Sequence, residues 1–166
     1  MHSFPESMIE YKKQLERGYI QVAYQGLMDF FRDLKSLFYN KYPEYSISSS
    51  IYYGYMDMTF FSIATEDLKP CKLKITLVFL HDAFSFEVWL SGSNRNVQAK
   101  YWELLKGTDL GKYHFASDPR TVDYVIRHML VDEPDFIDLE GLTKQIESGT
   151  LEFIAKVENL LSSQTN

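Results

Sequence analysis

Cysteine is all but missing from this chain: Cys71 is the only one in 166 residues. That excludes an internal disulfide and a cysteine-built metal site, and it suits a reducing compartment. No stretch approaches the roughly 18 consecutive apolar residues of a membrane-spanning helix. The N-terminal MHSFPESMIEYKKQLERG also lacks the apolar segment that follows a basic start in a secretion signal. On this reading the protein is cytoplasmic and no membrane is among its partners. Positive charge is scarce as well, with 17 Lys and Arg against 23 Asp and Glu and a net charge of −6. An acidic chain repels phosphate backbones at long range, so nucleic acid is an unfavourable partner. The four histidines show no HxH or HxxxH spacing, so neither a metal nor any other cofactor is expected.

Aromatic residues, by contrast, are in surplus. Twelve Tyr and twelve Phe exceed what a core of this size readily buries, and Tyr tolerates a half-wet position because its hydroxyl reaches water while its ring packs. Some of them should line a groove or an interface, for an unidentified small molecule, a protein partner, or a second copy in a homodimer. Length fits one domain over residues 1–166, which folds by burying roughly 68–70% of its extended surface.

Hydrophobic spacing supplies the fold. Ile20, Ala23, Tyr24, Leu27, Phe30, Phe31, Leu34, Leu37 and Phe38 recur at three- and four-residue steps, predicting a helix over about 19–39 that ends at Lys41-Tyr42-Pro43. A shorter helix starting at Ser7 or Pro5 and broken by Gly18 precedes it. From Tyr45 the period becomes two. Residues 51–63 carry large apolar groups on both sides, as one long or bent strand or as two strands broken near Gly54. Lys72–Leu80 and Phe84–Leu90 alternate cleanly and are joined by the hairpin-length His81-Asp82-Ala83, with Lys74 and Glu87 expected to pair across the wet face. Val97, Tyr101, Leu104 and Leu105 give a helical face. Asp118-Pro119 reads as the start of a helix over 119–131, although the same residues also alternate like a strand. Asp138 caps a long helix with Leu139, Leu142, Ile146, Phe153, Val157 and Leu160 on one stripe. The order of elements gives an α+β fold: a central antiparallel sheet flanked by helices, with helical N- and C-terminal segments.

Several constellations compete as sites. In FEVWLSGSNRNVQAKYWELL a strand passes through Ser-Gly-Ser-Asn-Arg-Asn into a helix. The free amides of a helix starting at Ser93 or Asn94, with Arg95 beside them, would suit an anion, whereas Ser and Asn are also ordinary helix caps. Tyr52, Tyr53 and Trp89 are placed to form a stacking wall at that sheet end, so the expected ligand-binding set is Tyr52, Tyr53, Trp89, Asn94 and Arg95, for an anionic or planar polar group. Trp102 and Tyr55 extend the same aromatic cluster. Asp57 and Glu87 on neighbouring strands would hold magnesium if they met, as paired acids do in nucleases, but no lysine follows Glu87 at the second position. His81 with Asp82, His114 and His128 would be general-base candidates, and Lys72 and Lys74 would activate Cys71, yet neither group has a positioned partner in sequence.

The segments YKKQLERGYIQVAYQGLMDF, NKYPEYSISSSIYYGYMDMTFFS, FEVWLSGSNRNVQAKYW and LVDEPDFIDLEGLTKQIESGTLEFI together resemble a family of small bacterial proteins known only as a domain of unknown function. That resemblance spans nearly the whole chain and implies no activity and no catalytic residues. The strand FEVWLSG running into a helix with Tyr101-Trp102 is similar to sheet-and-helix units of restriction-endonuclease-like folds, without their Glu-x-Lys pair. A binding or interaction module with an aromatic-rich groove is therefore the leading expectation, and a metal-dependent nuclease-like or other hydrolase the alternative.

Overall fold

The computed structural model describes residues 1–165. Helices α1 (Phe4–Arg17) and α2 (Tyr19–Lys41) open the chain as a pair. The capping box that starts α1 lies at Ser3 with Glu6, upstream of both expected starts, and Pro5 falls in the first turn. Gly18 separates the helices in a left-handed conformation, φ +78°, the ordinary glycine stop.

Strands β1 (Ser46–Ile47), β2 (Met58–Ala64), β3 (Leu73–Leu80), β4 (Ser85–Gly92), β5 (His114–Phe115) and β6 (Ile126–Asp132) form one sheet in the order β1-β2-β3-β4-β6-β5, antiparallel throughout. Helix α3 (Arg95–Leu105) follows β4, and α4 (Leu139–Gln164) closes the chain. The expected hairpin is present, with Leu80 opposite Ser85.

Two open alternatives are decided and one expected pair is replaced. Residues 51–57 do not continue β2. Tyr52 instead bridges back to Phe60, and the chain turns at Gly54, where a Cβ would lie 2.2 Å from the Met58 carbonyl oxygen; this is the break near Gly54. No helix spans 119–131: the Asp118 carboxylate caps a turn by accepting from Arg120 N–H, and the strand alternative holds from Ile126 onward. Finally, Lys74 stands opposite Ser91 and Glu87 opposite Val78, so the Lys74–Glu87 pair is replaced by one between Glu87 and Arg127 of β6.

The two sheet faces differ in chemistry because strand side chains alternate. Phe61, Leu77, Phe79, Phe86 and Val88 face α2, whose Phe30, Phe31 and Phe38 meet them in ring contacts of 5.8–6.3 Å. Farther along this face, His128 packs on Tyr113 and Tyr113 on Phe153 of α4. The opposite face carries Thr76, Glu87, Trp89 and Ser91. It was expected to be wet, yet all four are buried. Residues from the loop before β6 cover it: Tyr124 lies on Trp89, and the Asp123 carbonyl accepts from the Ser91 hydroxyl.

Candidate functional site

The expected ligand-binding residues fall near one another but mostly satisfy the protein itself. Asn94 is the N-cap of α3, its Oδ1 accepting from Val97 N–H at 2.9 Å. Arg95 turns away from the helix end, donating to the Val122 carbonyl and to Asp123 Oδ1. The Ser-Gly-Ser-Asn-Arg-Asn link thus starts a helix and ties it to the 118–125 loop. Trp89 Nε1 donates to Glu87, and Tyr52 stacks on Phe60 with ring centres 4.8 Å apart. Between Phe60 and Trp89 lies a hollow of about 160 Å³, lined also by Lys74, Thr76, Ser91, Gln98 and Asp123. Tyr53 is half exposed in the preceding turn.

The paired-acid arrangement does not assemble. Glu87 gives one oxygen to Trp89 and the other to Arg127, each at 2.7 Å. Asp57 accepts from Tyr55 N–H within its own turn, and those backbone bonds hold its carboxyl below the usual range. Neither carboxylate lines either cavity described here. Among the described residues no group of three His, Cys, Asp or Glu could hold a metal ion. Cys71 lies beside Tyr101, whose hydroxyl is pushed up to about 12 by burial and then by that thiol.

The larger opening lies elsewhere, on the core side of the sheet at the β3–β4 turn. Helix α2 packs its second half tightly through Phe31, Leu34 and Phe38, but its first half stands off the sheet, with Tyr19, Ile20 and Val22 exposed. The gap is a groove of about 500 Å³ lined by Ile20, Tyr24, Leu27 and Phe30 of α2, Phe79, His81 and Phe84 of the hairpin, Met56, and Phe136 with Leu139 at the start of α4. The lining is almost wholly apolar. Phe84 forms edge contacts with Phe79 and Phe136 at 5.5 and 5.9 Å, so three rings share one wall.

Two lining residues are held in the left-handed region that non-glycine residues avoid: Met56 at φ +62° and Phe84 at φ +51°. Each costs about 1–2 kcal/mol relative to ordinary backbone. Both side chains also remain half exposed, although burial would be expected for Met and Phe. Gly26 sits on the exposed face of α2 in the groove lining, where a Cβ would meet nothing within 4 Å. A glycine inside a helix is unfavourable by about 1 kcal/mol against alanine, and no steric need explains it; its effect is to leave the groove wide at that turn.

His81 is the groove's polar handle. The Thr59 hydroxyl donates to the Tyr53 carbonyl at 2.8 Å, so it can only accept from His81 Nε2, 2.9 Å away. That fixes the neutral ring with its proton on Nε2. Burial lowers the His81 pKa, against the opposing pull of Asp57 and Asp82. His81, a general-base candidate in sequence without a positioned partner, stands on the groove wall. The groove itself was not legible in sequence. The signals were the surplus of aromatics, which carries no position, and the excess of apolar residues at the start of α2, where Tyr19, Ile20, Val22, Ala23 and Tyr24 occupy more than one helix face.

A family model described as a domain of unknown function, DUF7000, matches residues 4–161. No curated protein and no solved structure matches the chain.

Proposed function

The chain belongs to the DUF7000 family, a domain of unknown function, and on that premise we propose that it is a small-molecule binding module whose site is the aromatic groove between the first half of α2 and the β3–β4 turn. The observation that carries the reading is the groove itself. Its volume of about 500 Å³ falls within the roughly 300–1,000 Å³ typical of ligand sites, and such sites are mostly apolar with a few polar groups that set orientation. Exposed Met56, Phe84 and Leu139 at its mouth leave apolar surface uncovered, and a ligand that covers it gains the hydrophobic term of about 25 cal/mol per Å². His81, with one nitrogen fixed by Thr59, supplies a single directional contact. Binding rather than catalysis fits best, because the groove lining places neither a Ser, Thr, Cys or Lys nucleophile nor a carboxylate beside His81.

The test is a neutral solvatochromic dye such as Nile red. Wild-type protein should bind it with enhanced emission, and Gly26→Phe, which fills the groove from an open helix face, should abolish the signal without lowering the melting temperature. Equal dye binding by the two proteins would overturn the assignment.

A second reading concerns the hollow beside Trp89. Lys74 lines it and has no carboxylate partner within ion-pair distance among the described residues, so a small planar anion paired with the Lys74 ammonium is the fitting occupant. Nuclear magnetic resonance titration with benzoate tests it: shifts at the Trp89 indole that vanish in Lys74→Met would support the reading, and their absence would remove it.

A further inference from the structure

Charge around the aromatic groove is one-sided. The groove is lined by side chains that carry no formal charge at neutral pH, since His81 is its only imidazole and burial lowers that pKa. The charged residues directly adjacent in sequence to lining residues are Asp29, Asp57, Asp82, Asp135, Asp138 and Glu140, every one acidic. Asp29 is neutralised by Arg32 and Glu140 by Lys144. The remaining four have no Lys or Arg within ion-pair distance among the described residues. Each is the immediate chain neighbour of a lining residue: Asp57 of Met56, Asp82 of His81, Asp135 of Phe136 and Asp138 of Leu139. Asp57 and Asp82 both act on the His81 ring electrostatically, which places them within reach of the groove wall.

We infer that the groove selects lipophilic organic cations, molecules that bury an apolar or aromatic body against Phe79, Phe84 and Phe136 and carry a permanent or protonated positive charge toward the unpaired aspartates. The inference rests on the groove being the binding site and adds the ligand class.

Three physical terms point the same way. Ring faces carry negative quadrupole potential, so a cation over Phe84 or Phe136 is attracted and an anion repelled. Carboxylates without an ion-pair partner beside a low-dielectric cleft, Asp57 and Asp82 most directly because both act on His81, raise the local concentration of cations through focused field lines. Neutral His81 adds no opposing charge, and with Nε2 donating to Thr59 its Nδ1 remains an acceptor suited to an N–H of a protonated amine. An anionic amphiphile such as a fatty acid matches the apolar lining equally well but meets all three terms with the wrong sign.

The experiment compares two ions of nearly equal size and shape, tetraphenylphosphonium and tetraphenylborate, by calorimetric titration of the full chain, with Nile red as the neutral reference. The phosphonium should bind at least about tenfold more tightly than the borate, the scale expected for a partly desolvated cation on aromatic faces. Raising salt from about 0.01 M to about 0.15 M, which shortens screening from roughly 30 to 8 Å, should weaken the phosphonium and leave Nile red unchanged.

The triple variant Asp57→Asn, Asp135→Asn, Asp138→Asn should narrow the gap between the two ions and remove most of the salt dependence, while the ring faces and Asp82 keep a residual preference for the phosphonium. It keeps the fold because each Asn retains the oxygen that accepts from Tyr55, Ile137 and Gly141 N–H, and Asn caps a helix as well as Asp. Equal binding of both ions by wild type, tighter borate binding, or binding of Nile red alone would overturn the charge selectivity and leave the groove standing. Failure of all three ligands to bind would instead overturn the groove as a site.

Discussion

Glu87 and Trp89, two residues apart on β4, point to the same sheet face and are joined by a 2.7 Å hydrogen bond from the indole Nε1 to the Glu87 carboxylate. The other Glu87 oxygen accepts from Arg127 of β6 at 2.7 Å, and Glu87 is only 1% exposed. A buried carboxylate with both oxygens satisfied holds three positions of the sheet in one arrangement. Replacing it with alanine leaves a buried indole N–H unpaired and Arg127 without its counter-charge. Glu87→Ala should therefore lower unfolding free energy by about 3 kcal/mol, and Glu87→Gln, which keeps an acceptor, by about half as much. Urea unfolding checks both; a loss under about 1 kcal/mol for the alanine variant would show that the network contributes little.

The end of α2 is fastened to α4 by a second buried acid. Glu147 accepts from Lys41 Nζ at 2.6 Å and from the Tyr42 hydroxyl at 2.5 Å. Burial works to raise the Glu147 carboxyl, but these bonds and the Lys41 charge outweigh it and hold the pKa below the usual value. Burial, then this carboxylate, pushes Tyr42 up to about 12. A depressed carboxyl contributes stability above its unfolded pKa that is lost as pH falls through the folded one. Tyr42→Phe should thus cost about 1.5 kcal/mol at neutral pH, and the gap between the variant and wild type should narrow in acid, below about pH 4. Thermal melts at both pH values measure it, and a gap independent of pH would count against the bond.

Two histidines set the behaviour in mild acid. Burial lowers His81 against the attraction of Asp57 and Asp82. Burial also lowers His128, assisted by Lys112 and His114 and opposed by Glu152. In the window between the lowered folded pKa values and the ordinary unfolded value near 6.5, the unfolded chain binds more protons, so stability declines as pH falls. The melting temperature should drop between about pH 7.5 and pH 5.5. Replacing both histidines with glutamine should flatten that slope, and a slope unaffected by the double substitution would assign the decline to other groups.

Gly26 offers a test in the opposite direction. It lies inside α2 with open space around its Cβ position. Gly26→Ala should therefore raise stability by about 1 kcal/mol through helix propensity alone. Chemical denaturation would show it, and no gain would mean that the backbone at residue 26 is strained in a way its surroundings do not suggest.

The sequence by itself determined the elements whose chemistry is local. The 3.6 period of Phe30, Phe31, Leu34 and Phe38 demanded α2, the alternation of Leu73, Ile75, Leu77 and Phe79 demanded β3, and Gly18, Asn94 and Asp138 marked helix ends because capping needs only neighbours in the chain. Together these made an α+β fold with an antiparallel sheet legible. What the alternation could not convey was what covers each face. Glu87 and Trp89 read as a wet strand face and are buried, because the loop that shields them comes from residues 118–125, some thirty positions away. Asp118-Pro119 carried the local signal of a helix start, but Val125 and Ile126 gained more by pairing with Leu90 on the open edge of β4, and ladder hydrogen bonds with burial outweighed the propensity. The groove was the least legible feature. It arises from the angle at which α2 leaves the sheet and from rings contributed by residues 24, 79, 84 and 136, and a void between elements is a property of their mutual placement that no single segment encodes.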